Sequence, residues 1–254
     1  MSPFEVVAIL MAGVAAGTIN TVVGSGTLIT FPTLLAFGVP PVTANVSNTI
    51  GLVPGSISGA IGYRRELVGQ RSRVLRLSVA SFIGGSAGAV LLLVLPAQAF
   101  ATIVPVLIVL GLVLVVFQPR ISAWVARRHE ATGGMPEHGT WWVWPGVLGT
   151  GVYGGYFGAA QGVLLMAVLG TGVDESLQRL NAVKNVLAAV VNAVAGAIFA
   201  VVADVDWWIV LLIGIGSVIG GQIGATVGRR LPSAALRVVI VLVGVVALTA
   251  FLVG

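Results

Sequence analysis

SFIGGSAGA (81–89) returns later in the chain as SVIGGQIGA (217–225), an offset of 136 residues (217 − 81). The same offset relates LPAQA (95–99) to LPSAA (231–235), Gly26 to Gly162 and Asn45 to Asn181. GAIGY (59–63) and GAIFA (196–200) follow one residue out of step. A glycine-rich chain matches itself by chance at isolated places, but several segments in one register point to an internal duplication. The reading that follows is a first copy over 1–118, a linker over 119–140 and a second copy over 141–254. The linker holds both histidines, Gly133-Gly134 and Pro136, and is expected on the cytoplasmic side.

Composition sets the solvent. Hydrophobic residues make up 57% of the chain and charged residues 8%, against roughly 25% charged in an ordinary soluble domain. No charge falls between Glu5 and Arg64, between Arg76 and Arg120, or between Asp206 and Arg229. A helical membrane span takes about 20 apolar residues, so these gaps hold several spans joined by uncharged turns. The fold class is all-α: a polytopic bundle in the lipid bilayer. The net charge of +5 comes from arginines in short loops, the distribution of cytoplasmic loops, and not from a nucleic-acid face. Without cysteine there is no disulfide, thiolate nucleophile or thiolate metal site. The N-terminal MSPFEVVAIL lacks the basic region of a cleaved signal.

Loop charge orients the copies. Arg64 to Arg76 fill one loop of the first copy, whereas its counterpart carries Asp204 and Asp206. The turn at Pro96 is uncharged, whereas its counterpart at Pro232 is flanked by Arg229, Arg230 and Arg237. Opposite bias at equivalent places predicts two inverted repeats, an architecture recurrent in secondary transporters. Helices are expected near 4–23, 27–38, 43–63, 74–95 and 98–118, then 142–158, 162–172, 177–203, 207–229 and 233–253. The pieces 27–38 and 162–172 reach roughly 18 Å, too short to cross. They read as half-helices or re-entrant segments, leaving about eight full spans and both termini outside.

The breaks before the short helices are VVGSGT (22–27) and FGAAQGV (157–163). Irregular backbone at membrane depth is tolerated only against protein or a wet cavity. A helix starting there aims its positive end and free N–H groups inward, which favours an anion. Tight turns at hairpin tips are the alternative. Beyond each break lies a polar patch, ANVSNT (44–49) and LNAVKNV (180–186). Asn45 and Asn48 share a helical face, as do Asn181, Lys184 and Asn185. Lys184 is the only lysine; it either reaches back to the interface or supplies positive charge to a polar pocket. The candidate solute-binding residues are therefore Gly24, Ser25, Gly26, Thr27, Asn45, Asn48, Gln161, Gly162, Asn181, Lys184 and Asn185. Asn20, Gln161 and Asn192 could equally bridge helices by hydrogen bonds.

AGTINTVVGSGTLITFPTLLAFGVPPVTANVSNT (16–49) resembles the first repeat of the TauE/SafE sulfite-exporter family. GVYGGYFGAAQG (151–162) through NAVKN (181–185) resembles its second repeat, and the likeness spans nearly the whole chain. The resemblance implies a multi-pass transporter of the bacterial inner membrane that exports a small sulfur oxyanion or organosulfonate. The family often has a glycine run at the breaks, where this chain reads Gly24-Ser25-Gly26-Thr27 and Gly158-Ala159-Ala160-Gln161-Gly162. An anion channel, or transport of a different small solute, is the alternative. TVVGSG has a filter-like look, but the second copy has no equivalent. No intramembrane carboxylate pair offers acid–base chemistry, and no P-loop pattern is present. An enzyme, a cofactor, a metal and a nucleic-acid partner are therefore not expected. The GGxxG faces would permit a homodimer.

Overall fold

A computed structural model describes residues 1–131, 139–227 and 233–253. Among them every regular element is a helix: α1 (Pro3–Val22), α2 (Thr27–Ala36), α3 (Pro41–Gly62), α4 (Arg71–Val94), α5 (Ala97–Ala131), α6 (Val143–Tyr156), α7 (Gln161–Gly172), α8 (Leu177–Val202), α9 (Trp207–Thr226) and α10 (Ser233–Val253). Among the described residues α1, α4, α5 (over Gln98–Ile121), α8 and α9 are long and apolar enough to cross a bilayer. α3 has 22 residues but carries more polar side chains. α2 and α7, with 10 and 12 residues, reach only about 15–18 Å and cannot cross. The chain is an all-α, polytopic membrane protein.

Local chemistry explains the helix starts. Ser2 and Glu5 form a reciprocal capping box on α1, with Pro3 in its first turn. Asp206 accepts from the Trp208 and Ile209 N–H groups to start α9. One boundary departs from expectation. The helix expected near 98–118, with a linker from Pro119, runs on to Ala131 with Pro105 and Pro119 inside it. His129 thus falls on α5, while Gly133-Gly134, Pro136 and His138 lie outside the described residues. So do Arg229, Arg230 and Pro232.

The duplicated IGGxxGA is a packing seam. In α4, Gly84 faces Leu148 and Gly151 of α6, and Gly88 faces Val152 and Tyr156. In α9, Gly220 faces Val14 and Thr18 of α1, and Gly224 faces Thr18 and Thr21. Numbers rise together along both seams, so α4 runs parallel to α6 and α9 parallel to α1. The small-residue faces that could have met a second copy are consumed inside the chain.

α3 also runs parallel to α9, with Gly51 against Ile213 and Gly62 against Ala225. α3 and α8 run antiparallel: Asn192 Nδ2 donates to Ser56 Oγ at 3.1 Å, and Gly196 sits against Ile50 and Val53. α1, α3 and α9 therefore point one way, and α4, α6 and α8 the other. The loops after Tyr63 and after Val202 emerge at opposite ends.

α2 folds back along α1, bringing Gly26 against Ala16 and Asn20, and Phe37 edge-on to Phe4. α7 folds back along α6 until Gly172 O accepts the Thr140 N–H. The two hairpins enter from opposite ends and touch at their tips, where the Gly162 N–H donates to Gly24 O at 2.9 Å.

Candidate solute-binding cavity

The tips meet through backbone. Gly24 (φ 89°) and Ala160 (φ 60°) adopt left-handed conformations at positions 136 apart. A methyl on Gly24 or on Gly162 would run into the other residue's Cα, so this contact requires glycine on both sides.

Beside the tips lies a narrow cavity of ≈ 20 Å³, enough for about one water as it stands. Its walls are polar: Asn20 and Thr21 from α1, Ser56 from α3, Gln161 from α7, and Lys184, Asn185 and Asn192 from α8, with Gly24, Thr27, Gly158, Gly162 and Ala188 between them.

Lys184 is fully buried, 0% exposed, and its Nζ donates to Asn20 O at 3.0 Å and Thr21 O at 3.3 Å. It does not reach the interface. Asn181 Nδ2 and Asn185 Nδ2 also donate to Thr21 O, at 3.1 and 3.3 Å. The whole α8 face thus caps the last carbonyls of α1, groups a helix end leaves unpaired. That end carries partial negative charge, which offsets part of the cost of burying the ammonium. An ammonium has three donors; two are engaged, and Lys184 lines the cavity.

Asn45 plays the matching part on the other side, donating from Nδ2 to Tyr156 O at the end of α6. Asn48 sits under α2: it accepts from Thr30 Oγ1 at 2.5 Å and donates to Thr27 Oγ1 at 3.4 Å. Of the residues predicted to bind, Gly24, Thr27, Gln161, Gly162, Lys184 and Asn185 line the cavity. Ser25, Gly26, Asn45, Asn48 and Asn181 do not; they lie behind the wall or hold helix ends.

Three of the N–H groups expected to be free at the breaks are in use. Gly26 N–H donates to Asn20 Oδ1 at 2.7 Å, Gln161 N–H to Gly158 O and Gly162 N–H to Gly24 O. The tips close on each other and use these three donors, and polar side chains face the cavity beside them. Gln161 supplies one directly: its side chain is buried and its Nε2 has no hydrogen-bond partner. Tyr153 is nearby and occupied, its hydroxyl donating to Ala159 O.

Sequence reasoning left Thr21, Ser56 and Ala188 unnamed, named Gly158 only as part of the second break, and held Asn20 and Asn192 as weaker candidates that could equally bridge helices. The duplication held a signal for Ser56, which stands 136 residues before Asn192 and meets it directly. Among the described residues no cluster of His, Asp or Glu is placed to hold a metal.

Two opposed hairpins touching over a buried polar cavity that holds a lysine give this helical membrane protein the broken-helix build of secondary transporters. The model of the sulfite exporter TauE/SafE family matches residues 9–251, and the chain belongs to that family. It is 25% identical over 249 residues to the probable membrane transporter protein YfcA of Escherichia coli strain K12, covering 97% of this chain and 89% of that one. It is 26% identical over 243 residues to the probable membrane transporter protein ORF9 of a Sinorhizobium species, covering 95% and 90%. A probable membrane transporter protein of Haemophilus influenzae is 24% identical over 225 residues, covering 87% and 84%. No solved structure gives a significant match. The chain is thus a multi-pass protein of the bacterial cell membrane from a transporter family.

Proposed function

We propose that the chain is a secondary transporter exporting a small anion, a sulfur oxyanion or organosulfonate, bound in the cavity beside the hairpin tips. One observation carries this reading. The chain's single lysine is buried among amide and hydroxyl groups at the meeting point of two broken helices, with no acidic side chain lining the cavity. A lysine held there only for packing needs no unpartnered glutamine across the space from it. Lys184, Gln161, Asn185 and Thr27 would contact the solute, with Asn20 and Asn192 completing the wall. Asn45, Asn48 and Asn181 would hold helix ends, and Ser25 and Gly26 the first tip.

The antiparallel α3 and α8 and the opposed hairpins support two inverted halves over 1–118 and 141–254. Rocking of one against the other would expose the cavity to each side in turn. The narrowness of the cavity supports a closed stage of that cycle over an open anion channel. The family description and the resemblance noted above support sulfur chemistry and the outward direction.

Proteoliposomes holding the full chain test this. Labelled sulfite or methanesulfonate should equilibrate faster than in empty vesicles, and Lys184→Gln should reduce the rate at least tenfold with normal insertion. Equal rates for both solutes with and without protein would remove the anion reading.

A further inference from the structure

We infer that the cavity accepts one monoanion per chain and rejects dianions of the same size; this rests on its being the solute site. The first ground is charge. Lys184 is the one ionisable side chain among the residues lining the cavity. Part of its charge is already engaged, because Nζ donates to Asn20 O and Thr21 O at the negative end of α1. The net field offered to a solute is that of one positive charge at most.

A monoanion neutralises that field. A dianion would leave a second negative charge buried with neutral amides and hydroxyls, and burial penalises an unpaired charge heavily. The neutral groups can orient a ligand but not balance it. Gln161 is the clearest: 4% exposed, with Nε2 unpartnered, it offers a donor that only a solute or water would use. Asn185 and Asn192 each commit Nδ2 to a protein partner, which leaves one amide hydrogen apiece.

The second ground is asymmetry. At the offset of 136, Lys184 corresponds to Asn48, Asn20 and Thr21 to Tyr156 and Phe157, Thr27 to Val163, and Ala188 to Leu52. Tyr156 and Phe157 pack with Phe31 and Phe100 in a ring cluster. Beside these rings the counterparts of Gln161, Lys184 and Asn185 are Ser25, Asn48 and Thr49, which are neutral, so the counterpart space has no cation. The duplicated scaffold therefore carries a single site.

Methanesulfonate and sulfate are near-isosteres that differ by a methyl for an O⁻, so comparing them separates charge from size. Isothermal titration of the purified full chain with each, at matched ionic strength and one neutral pH, reads binding without requiring transport. Methanesulfonate should bind one per chain and at least about tenfold more tightly than sulfate, a difference of about 1.4 kcal/mol. Lys184→Gln should abolish the preference. Gln161→Met, which keeps the charge, should weaken methanesulfonate binding and leave the preference intact. Equal affinities, tighter sulfate, two sites per chain or no heat from either anion would overturn the inference. A chain that binds methanesulfonate with this ratio yet moves no anion across vesicles keeps the inference and loses the transport reading.

Discussion

Gln161 and Lys184 show how opposite demands meet in one cavity wall. Lys184 is satisfied, with Asn20 O and Thr21 O within hydrogen-bond range, whereas Gln161 Nε2 is buried without a partner. A buried amide left unsatisfied costs roughly 1–3 kcal/mol, a cost that under the proposed function a bound solute would relieve. Gln161→Met removes that cost at similar volume. The variant should melt at the same or a higher temperature than the parent in detergent, while its anion flux falls severalfold. A variant that melts lower and transports normally would place Gln161 among structural residues. Thr21 O, by contrast, accepts from Asn181, Lys184 and Asn185 together. Asn181→Ala should therefore cost no more than about 1 kcal/mol, measured by the same melting curves. Helical spacing put Asn181, Lys184 and Asn185 on one face, and they do share one task. Spacing alone carried no information on which helix end that face would meet, so the Asn181 bond to Thr21 O could not be read from it.

The hairpin tips act as elements through two glycines. Gly162 sits in ordinary helical backbone, but an added methyl would collide with the Gly24 backbone, which cannot move aside as a flexible side chain would. Gly162→Ala should push the hairpins apart, lower the melting midpoint by the equivalent of roughly 1–3 kcal/mol and remove flux. Gly38 is the control: φ is 76°, yet nothing lies within 4 Å of an added Cβ. Gly38→Ala should cost only the left-handed strain, roughly 1–2 kcal/mol, and leave flux unchanged. Ala160→Gly should gain part of the same strain energy, because Ala160 holds φ 60°. Flux and melting measured on all three variants separate contact from conformation. The short helices and the seams were legible because glycine spacing and length report them directly. The continuation of α5 past Pro119 was not, since proline warns of a stop that neighbouring helix formers such as Ala123, Ala126 and Arg127 override. Closure of the tips on one another was also hidden. No local pattern records that Gly24 O and Gly162 N–H meet across the molecule.

At the scale of the whole chain, the arginines of α3, α4 and α8 gather at one end. Arg64, Arg65, Arg71, Arg73, Arg76 and Arg179 lie where α3 ends and α4 and α8 begin, with Glu66, Asp174 and Glu175 among them, whereas the other end carries Glu5, Asp204 and Asp206. The basic end is the one expected to face the cytoplasm. There, Glu175, just before α8, accepts from Arg73 NH1 at 3.2 Å and from Arg179 Nε at 2.7 Å. Gln70 extends the link, accepting from Arg73 and donating to the Arg179 carbonyl. The cluster straps the start of α4 to the α7–α8 junction. Burial pushes the Glu175 carboxyl up, but hydrogen bonds from Arg179 and Arg73, and then their charges, outweigh it and hold it below the usual glutamate value. A carboxyl whose folded pKa is depressed contributes stability in full above its unfolded value, about 4.3. That contribution fades as pH falls through the lower folded value. Glu175→Gln keeps the shape and removes the charge. At neutral pH it should lower the melting midpoint by the equivalent of roughly 1–2 kcal/mol, the scale of a partly buried, doubly bonded pair. On acidification the parent should lose stability faster than the variant, and the two melting curves should converge below the ordinary glutamate range. Parallel curves across that range would mean that the bridge adds nothing to the fold, and that the seams between α4 and α6 and between α1 and α9 hold the basic end closed without it.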